Sequence, residues 1–290
     1  MKAVLFIGHG SKKKEGNEGI IQFVDNLKQK VPAPIVETCF LEFASPGLAS
    51  GIETCVKRGA TEVALVPIMF FPAGHSKIHI PQAIDKARKL YPLVRFHYGR
   101  PIGIHEEMFQ LLKEKLHAGV EQETLYNKDT SILLVGRGSS DVDANSELFK
   151  LSRILSEKLE MAAVEVSFIG VTTPTVEEGV ERCIRLGASN ILMIPYFFFA
   201  GILMDRMDAK LKAFKEKYTE QEFYMTDPIG LHKRLEKVLL DRAEEAVGGN
   251  AKLNCDMCQY RLFALEHMDI HHDHDHSHHH DHDHDHEHSH

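Results

Sequence analysis

Apolar and polar positions along the chain fall into two alternating patterns. Short β-rich runs such as AVLFIG (3–8) are followed by stretches where apolar residues recur every three or four positions, as Ile20, Phe23, Val24 and Leu27 do within 15–30. The first pattern predicts a strand buried on both faces and the second an amphipathic helix. The alternation continues with strands over 35–43, 62–70 and 94–99, helices over 46–58 and 77–90, and a helix from 105. The 46–58 helix is expected to open with Ser45 as N-cap and Pro46 in its first turn, and to close at Gly59. Strands alternating with helices predict parallel β-α-β units and an α/β fold. Ligands of such sheets bind beyond the carboxyl ends of the strands, so the loops after strands are where chemistry is expected.

The whole pattern then repeats. LFIGHGS (5–11) is echoed by LLVGRGS (133–139), and the same 128-residue shift carries Val36, Glu37, Phe40, Pro46, Gly51, Glu53, Cys55, Gly59, Ala60 and Pro67 onto identical residues. Further on, RPIG (100–103) answers DPIG (227–230) at a shift of 127, so one residue has been lost in between. Ordered identity of this extent indicates a duplication. The expected organisation is two tandem α/β domains with parallel sheets and a ligand cleft between them. The first half, 1–120, carries the site. The second, 128–248, is a degenerate repeat joined to it near 117–129, and 249–290 forms a separate tail. At 290 residues, each half has enough chain to bury a core of its own.

Composition narrows the functional classes. The formal charge is −8, but seven of the 42 acidic residues lie in the last 24 positions, leaving 35 against 34 Lys and Arg in the body. A nearly neutral body whose longest basic run is Lys12–Lys14 argues against nucleic acid as a partner. No apolar run approaches a membrane span, and the amino terminus lacks a secretory h-region, so neither membrane insertion nor export is expected. Five scattered cysteines favour a reducing, cytoplasmic setting over a disulfide framework, and Cys39, Cys55 and Cys183 fall at positions expected to be buried. No G-x-x-x-x-G-K-[ST] loop occurs, so no nucleotide is expected.

Two strand-end loops bring candidate chemistry together. Gly8-His9-Gly10-Ser11 follows the first strand, and Phe71-Pro72-Ala73-Gly74-His75-Ser76 follows the third. Glycines beside each histidine let the backbone approach a ligand closely. Imidazole at such a mouth suits metal ligation or proton transfer near neutral pH. Glu42, after the second strand, is placed to take a proton or complete a metal shell. The second copy keeps the glycine frame, Gly136, Gly138 and Gly201, but replaces His9 by Arg137, Glu42 by Gly170, and His75 by Leu203 or Ile202 according to where the lost residue falls. Metal-capable chemistry is thus expected in one half only.

The G-H-G loop, LEFASP (41–46), VPIMFFPAGHSKIHIP (66–81) and RPIG, in this order, resemble the sirohydrochlorin chelatases of the class II chelatase superfamily, across roughly residues 1–245. The resemblance implies an ATP-independent lyase that inserts a divalent metal into sirohydrochlorin. It implies that His9 and His75 bind the incoming metal, that His9 accepts a proton, and that substrate contacts fall at Ser45, Phe70, Phe71, Pro72, Ala73, Gly74 and Arg137. Eight substrate carboxylates call for cations at the loop edges. Lys12, Lys13, Lys77, Arg100, Arg137 and Arg206 are the candidates, while His79, one turn beyond His75, is expected in solvent.

From His267 onward thirteen of the 20 histidines alternate with carboxylates. His271, His272, His274, His276, His278, His279, His280, His282, His284, His286, His288 and His290 make a multidentate reservoir for late divalent metals, expected to be disordered without them. Cys255 and Cys258 form a C-x-x-C. Long forms of the resembling family carry an iron–sulfur centre near here, for which this pair supplies two of four thiolates, so that another ligand or a second subunit completes it, or else the pair is a redox or zinc site. The metal-rich tail favours cobalt as the substrate metal, and so cobalamin synthesis. The alternatives are a sirohydrochlorin ferrochelatase in siroheme synthesis and, in another class, a metal storage or chaperone protein. A monomer or homodimer is expected.

Overall fold

The computed structural model describes residues 1–159, 163–198 and 201–248. Eight strands and nine helices occur among them. The first sheet holds β1 (Lys2–Gly8), β2 (Ile35–Phe40), β3 (Glu62–Ile68) and β4 (Arg95–Tyr98), all parallel in the order β2-β1-β3-β4. The second holds β5 (Thr130–Gly136), β6 (Ala163–Phe168), β7 (Asn190–Pro195) and β8 (Glu222–Met225) in the matching order β6-β5-β7-β8. The helices are α1 (Lys14–Leu27), α2 (Leu48–Lys57), α3 (Gly74–Leu90), α4 (Glu106–Gly119), α5 (Gln122–Leu125), α6 (Val142–Leu159), α7 (Val176–Arg185), α8 (Ile202–Lys217) and α9 (Lys233–Val247).

Side chains alternate across each sheet, and this assigns the layers. Ala3, Leu5 and Ile7 of β1 pack with Ile52 and Cys55 of α2 and Ile80, Ile84 and Ala87 of α3 on one face. Val4 and Phe6 face the other way, into a cluster that also contains Ile132 and Leu134 of β5 and the apolar faces of α1, α4, α6 and α9. Leu133 and Val135 of β5 turn outward to α7 and α8. The molecule is therefore five layers deep, with four helices shared between the inner faces of two sheets. Each half buries a core of its own on its outer sheet face, and the largest core is common to both.

The sharing is an exchange. α9, from the second copy, lies on β1, β3 and β4 of the first sheet, while α4, from the first copy, lies on β7 of the second. Close approach requires small residues at both crossings. A Cβ on Gly99 would stand 3.1 Å from the Ala246 Cβ, and one on Gly119 would stand 2.8 Å from Thr226 Cγ2. Arg242, buried on α9, donates from Nε to the Pro101 carbonyl (2.8 Å) and from Nη2 to that of Ile102 (2.8 Å), which ties α9 to the RPIG loop. Between the exchanged helices Arg234 donates to Glu107 (2.6 Å) and Glu114 (2.6 Å), and Lys237 to Glu107 (2.7 Å).

The helix after β2 starts later than its sequence suggests. The Ser45–Pro46 peptide is cis, the Pro46 carbonyl accepts from the Phe40 amide (2.9 Å), and residues 41–46 fold back onto the strand end. Ser45 therefore cannot cap the helix, which opens at Leu48 after Gly47 without a side-chain cap. Its counterpart α7 retains one, with Thr175 accepting from the Glu178 amide.

Candidate metal and tetrapyrrole site

A cavity of about 1460 Å³, lined by residues of both copies, takes in the carboxyl ends of β1, β3, β5 and β7 and runs on into the groove between α2 and α3. His9 hangs at its edge between two glycines that admit no side chain. A Cβ on Gly8 would meet the Phe40 ring at 2.9 Å, and one on Gly10, at φ 91°, would lie 1.7 Å from the Glu42 carbonyl oxygen. That proximity pins the two loops together, with the Glu42 amide donating to the His9 carbonyl (3.1 Å).

The pinning brings Glu42 to the imidazole. His9 Nε2 lies 3.2 Å from Glu42 Oε1, and His9 Nδ1 lies 3.3 Å from the Gly10 carbonyl oxygen. With Nδ1–H donating to that carbonyl, the Nε2 lone pair and a carboxylate oxygen face each other, an arrangement that calls for a cation between them, either a proton or a metal ion. Two metal–ligand bonds of about 2.1 Å would span the separation at an angle of roughly 100°. Both side chains are partly exposed to the cleft, so an ion can reach them.

His75 is the second residue of α3, at the same mouth; its side chain lies outside the described atoms. The Gly103 amide donates to the Phe70 carbonyl and the Gly230 amide to that of Phe197, so the 127-residue shift is already in place before the helix. The lost residue thus falls between the strand and Phe70, which makes Ile202 the counterpart of His75. Among the described residues no three His, Cys, Asp or Glu groups gather into a metal cage. The His9–Glu42 pair is the donor set the described side chains provide. The C-x-x-C pair, Cys255 and Cys258, and the tail histidines lie outside the described residues. Cys39, Cys55 and Cys183 are buried and free, as expected, and burial pushes the Cys55 and Cys183 thiols up to about 12.

The wall opposite His9 is built by the second copy. Arg137, in the place of His9, lines the cleft exposed and makes no ion pair among the described residues. Phe70, Phe71, Ala73 and Gly74 also line it. Phe70 stacks on Phe198 with centroids 4.0 Å apart and meets Tyr196 at 4.4 Å, so the aromatic run joins the two halves as well as flooring the cleft. Ser45 and Pro72 do not line it, Ser45 because the cis turn carries it to the exposed outside of its loop. Of the candidate cations, Lys12, Lys13 and Arg206 are exposed but lie off the lining, while His79 lines it and is exposed.

Two other cations are committed to the protein. Arg100 is ion-paired with Glu245 (Nε–Oε2 2.9 Å). Lys77 is buried, with Nζ 2.8 Å from Asp141 and 3.0 Å from Asp143. Burial alone would lower the Lys77 pKa, but hydrogen bonds to the two carboxylates raise it above the ordinary lysine value, so it stays charged.

One clamp escaped sequence reasoning. The Asn17 side chain accepts from the Ser11 amide (2.8 Å) and donates to the Ser11 carbonyl (2.7 Å), closing the loop that bears His9. Asn145 repeats this on Ser139 at 3.0 and 2.8 Å. Its signal was present, since Ser and Asn recur at the same spacing after both G-x-G loops.

The CbiX family model matches residues 3–118 and again 131–246. The sirohydrochlorin cobaltochelatase of Priestia megaterium is 50% identical over 272 residues, covering 93% of this chain and 88% of that protein. The sirohydrochlorin ferrochelatase of the same organism is 34% identical over 239 residues, covering 82% and 88%. The solved structure of SirB from Bacillus subtilis with Fe3+ superposes with a TM-score of 0.77 at 30% identity, covering 87% of this chain and 98% of that one. Two matches to one family model, on the two halves that share this cleft, establish that the chain belongs to the CbiX family of sirohydrochlorin chelatases.

Proposed function

We propose that this chain is a sirohydrochlorin cobaltochelatase, an ATP-independent lyase that inserts Co2+ into sirohydrochlorin for cobalamin synthesis. The observation that carries the reading is the His9 Nε2–Glu42 Oε1 pair, 3.2 Å apart at the mouth of a cleft large enough for a tetrapyrrole. Insertion breaks two pyrrole N–H bonds, forms metal–nitrogen bonds and releases two protons. His9, with His75 at the start of α3, holds the incoming ion. Glu42 accepts the first pyrrole proton while His9 holds the ion, His9 Nε2 takes the second once it has given the ion up, and both protons pass to solvent through the open mouth. Arg137 meets a substrate carboxylate from the opposite wall, while Phe70, Phe71, Ala73 and Gly74 bound the macrocycle.

The choice of cobalt rests on the 50% identical cobaltochelatase, and the less similar ferrochelatases keep Fe2+ as the second reading. In this scheme the histidine-rich tail stores or delivers metal and takes no part in insertion.

An anaerobic assay that follows sirohydrochlorin absorbance with Co2+ and Fe2+ in parallel tests both. Insertion of Co2+ is expected, with His9→Ala at least about 100-fold slower and deletion of 249–290 without effect on kcat. No spectral change with either metal sinks the reading, and faster insertion of Fe2+ transfers it to siroheme synthesis. A chain whose metal function survives His9→Ala but is lost with the tail would instead be a storage protein.

A further inference from the structure

The first turn of α3 is held by three anchors, and the second copy has lost all of them. The Ser76 hydroxyl, buried, accepts from the Ala73 amide (3.1 Å) and donates to the Ala73 carbonyl (2.9 Å). The Tyr98 hydroxyl, at the end of β4, donates to the Ser76 carbonyl (3.2 Å). Lys77, only 4% exposed, crosses to the other half and places Nζ 2.8 Å from Asp141 and 3.0 Å from Asp143. The counterparts in α8 and β8 are Leu203, Met204 and Met225, which cannot make these bonds.

The far end of the Lys77 pair is itself fixed. Asp141 is buried, its amide donates to Ser139 Oγ (3.0 Å), and its carboxylate accepts from the Asp143 amide (3.1 Å) at the start of α6. It belongs to the loop that presents Arg137. In the pseudo-equivalent place Lys13 stands for Asp141 and Met204 for Lys77, so an exposed lysine faces an uncharged side chain and no ion pair can form there. One flank of the cleft is braced and the other is not, and the brace lands two residues from His75.

We propose that Lys77 is a positioning residue: its buried ion pair with Asp141 uses the second copy as an anvil for the turn that carries His75, so that each chain builds one working site from both halves. The inference rests on the reading of His75 as a metal ligand. A displacement of about 1 Å at such a group is enough to slow chemistry by up to ~100-fold while leaving substrate contacts elsewhere intact. A buried pair broken at one end leaves an uncompensated charge, so the variant with both ends neutralised is the informative partner to the single ones.

The test compares the full chain with Lys77→Met, Asp141→Asn, the double variant and Lys77→Arg, in the insertion assay and by hydrogen–deuterium exchange of residues 74–80. Lys77→Met and Asp141→Asn are expected to lower kcat at least tenfold, with KM for sirohydrochlorin within twofold of the parent. The double variant should be no slower than either single one. Lys77→Arg should recover to within threefold, and exchange should quicken in 74–80 but not in 14–27. A folded Lys77→Met or Asp141→Asn protein with parental kcat, or a double variant whose loss is the product of the single losses, overturns the proposal. If Lys77→Met does not fold, Asp141→Asn and the double variant carry the same comparison. If the parent inserts no metal, the chelatase reading fails, and the exchange comparison still decides whether Lys77 holds the turn.

Discussion

Gly10 and Gly138 occupy the same position in the two copies, with the same strain and different neighbours, and so make a matched pair. Gly10 has φ 91° and Gly138 φ 86°. A Cβ would stand 1.7 Å from the Glu42 carbonyl oxygen in the first copy and 2.0 Å from that of Gly170 in the second. An alanine in this left-handed conformation costs about 1–2 kcal/mol. Restoring ordinary contact, near 3.5 Å, moves the two loops apart by roughly 1.8 Å at Gly10. That breaks the hydrogen bond from the Glu42 amide to the His9 carbonyl, worth about 1 kcal/mol.

Each substitution should therefore destabilise by about 2–4 kcal/mol, or roughly 5–12 °C in Tm for a chain of this size. Their effects on insertion should differ. Gly10→Ala separates His9 from Glu42 and should abolish turnover in protein that is still folded. Gly138→Ala disturbs the loop that bears both Arg137 and Asp141, leaves His9 and Glu42 together, and should raise KM for the tetrapyrrole with a smaller loss of kcat than Gly10→Ala. Thermal melts and the insertion assay, run on both, check this. Equal losses of kcat in the two variants, or parental turnover in folded Gly10→Ala, would refute the argument that loop proximity assembles the site.

Two further predictions concern the exchanged helices. Arg242→Met leaves the Pro101 and Ile102 carbonyls and Glu245 without their guanidinium; denaturant unfolding should show a loss of about 3–5 kcal/mol, and one below about 1 kcal/mol would contradict the role given to it. Stability should also fall with acid. Hydrogen bonds from Lys237 and then Arg234 hold the Glu107 carboxyl below its ordinary range, and burial foremost holds His232 below its ordinary value. For both, the stabilisation is full above the unfolded pKa and is lost as pH falls through it, beginning near 6.5 for the histidine and near 4.3 for the carboxylate. Tm should decline from pH 7 to pH 4, with Glu107→Gln flattening the lower limb; a constant Tm over that range would count against this seam.

The alternation of strands and helices, the duplication and the two loops bearing His9 and His75 were legible in the sequence because each is local, set by side-chain period or by glycine beside histidine. The exchange of α4 and α9 was not. Both helices are amphipathic, which fixes the face they bury but not the sheet they bury it on; that choice rests on long-range contacts, the meetings of Gly99 with Ala246 and Gly119 with Thr226 and the bonds from Arg242 to the Pro101 and Ile102 carbonyls. Lys77 and Arg100 were misread for a related reason. A cation beside a site loop suggests a substrate carboxylate, but the carboxylates that pair with them lie 64 or more positions away, in the other copy. The late start of α2 goes with the Pro46 carbonyl accepting from the Phe40 amide, a contact that the amino-acid pattern alone does not announce.

The exchange also sets the order in which the molecule can be assembled during synthesis. All four strands of the first sheet have been made once Tyr98 is joined, yet one face awaits α9, which ends at Val247. At 5–20 residues per second the ribosome needs roughly 7–30 s to deliver that cover. For that interval α1 can shield the β1 side of this face, but Ala64 and Val66 of β3 await α9, and a nascent chain of half length offers that apolar strip to other nascent chains or to a chaperone.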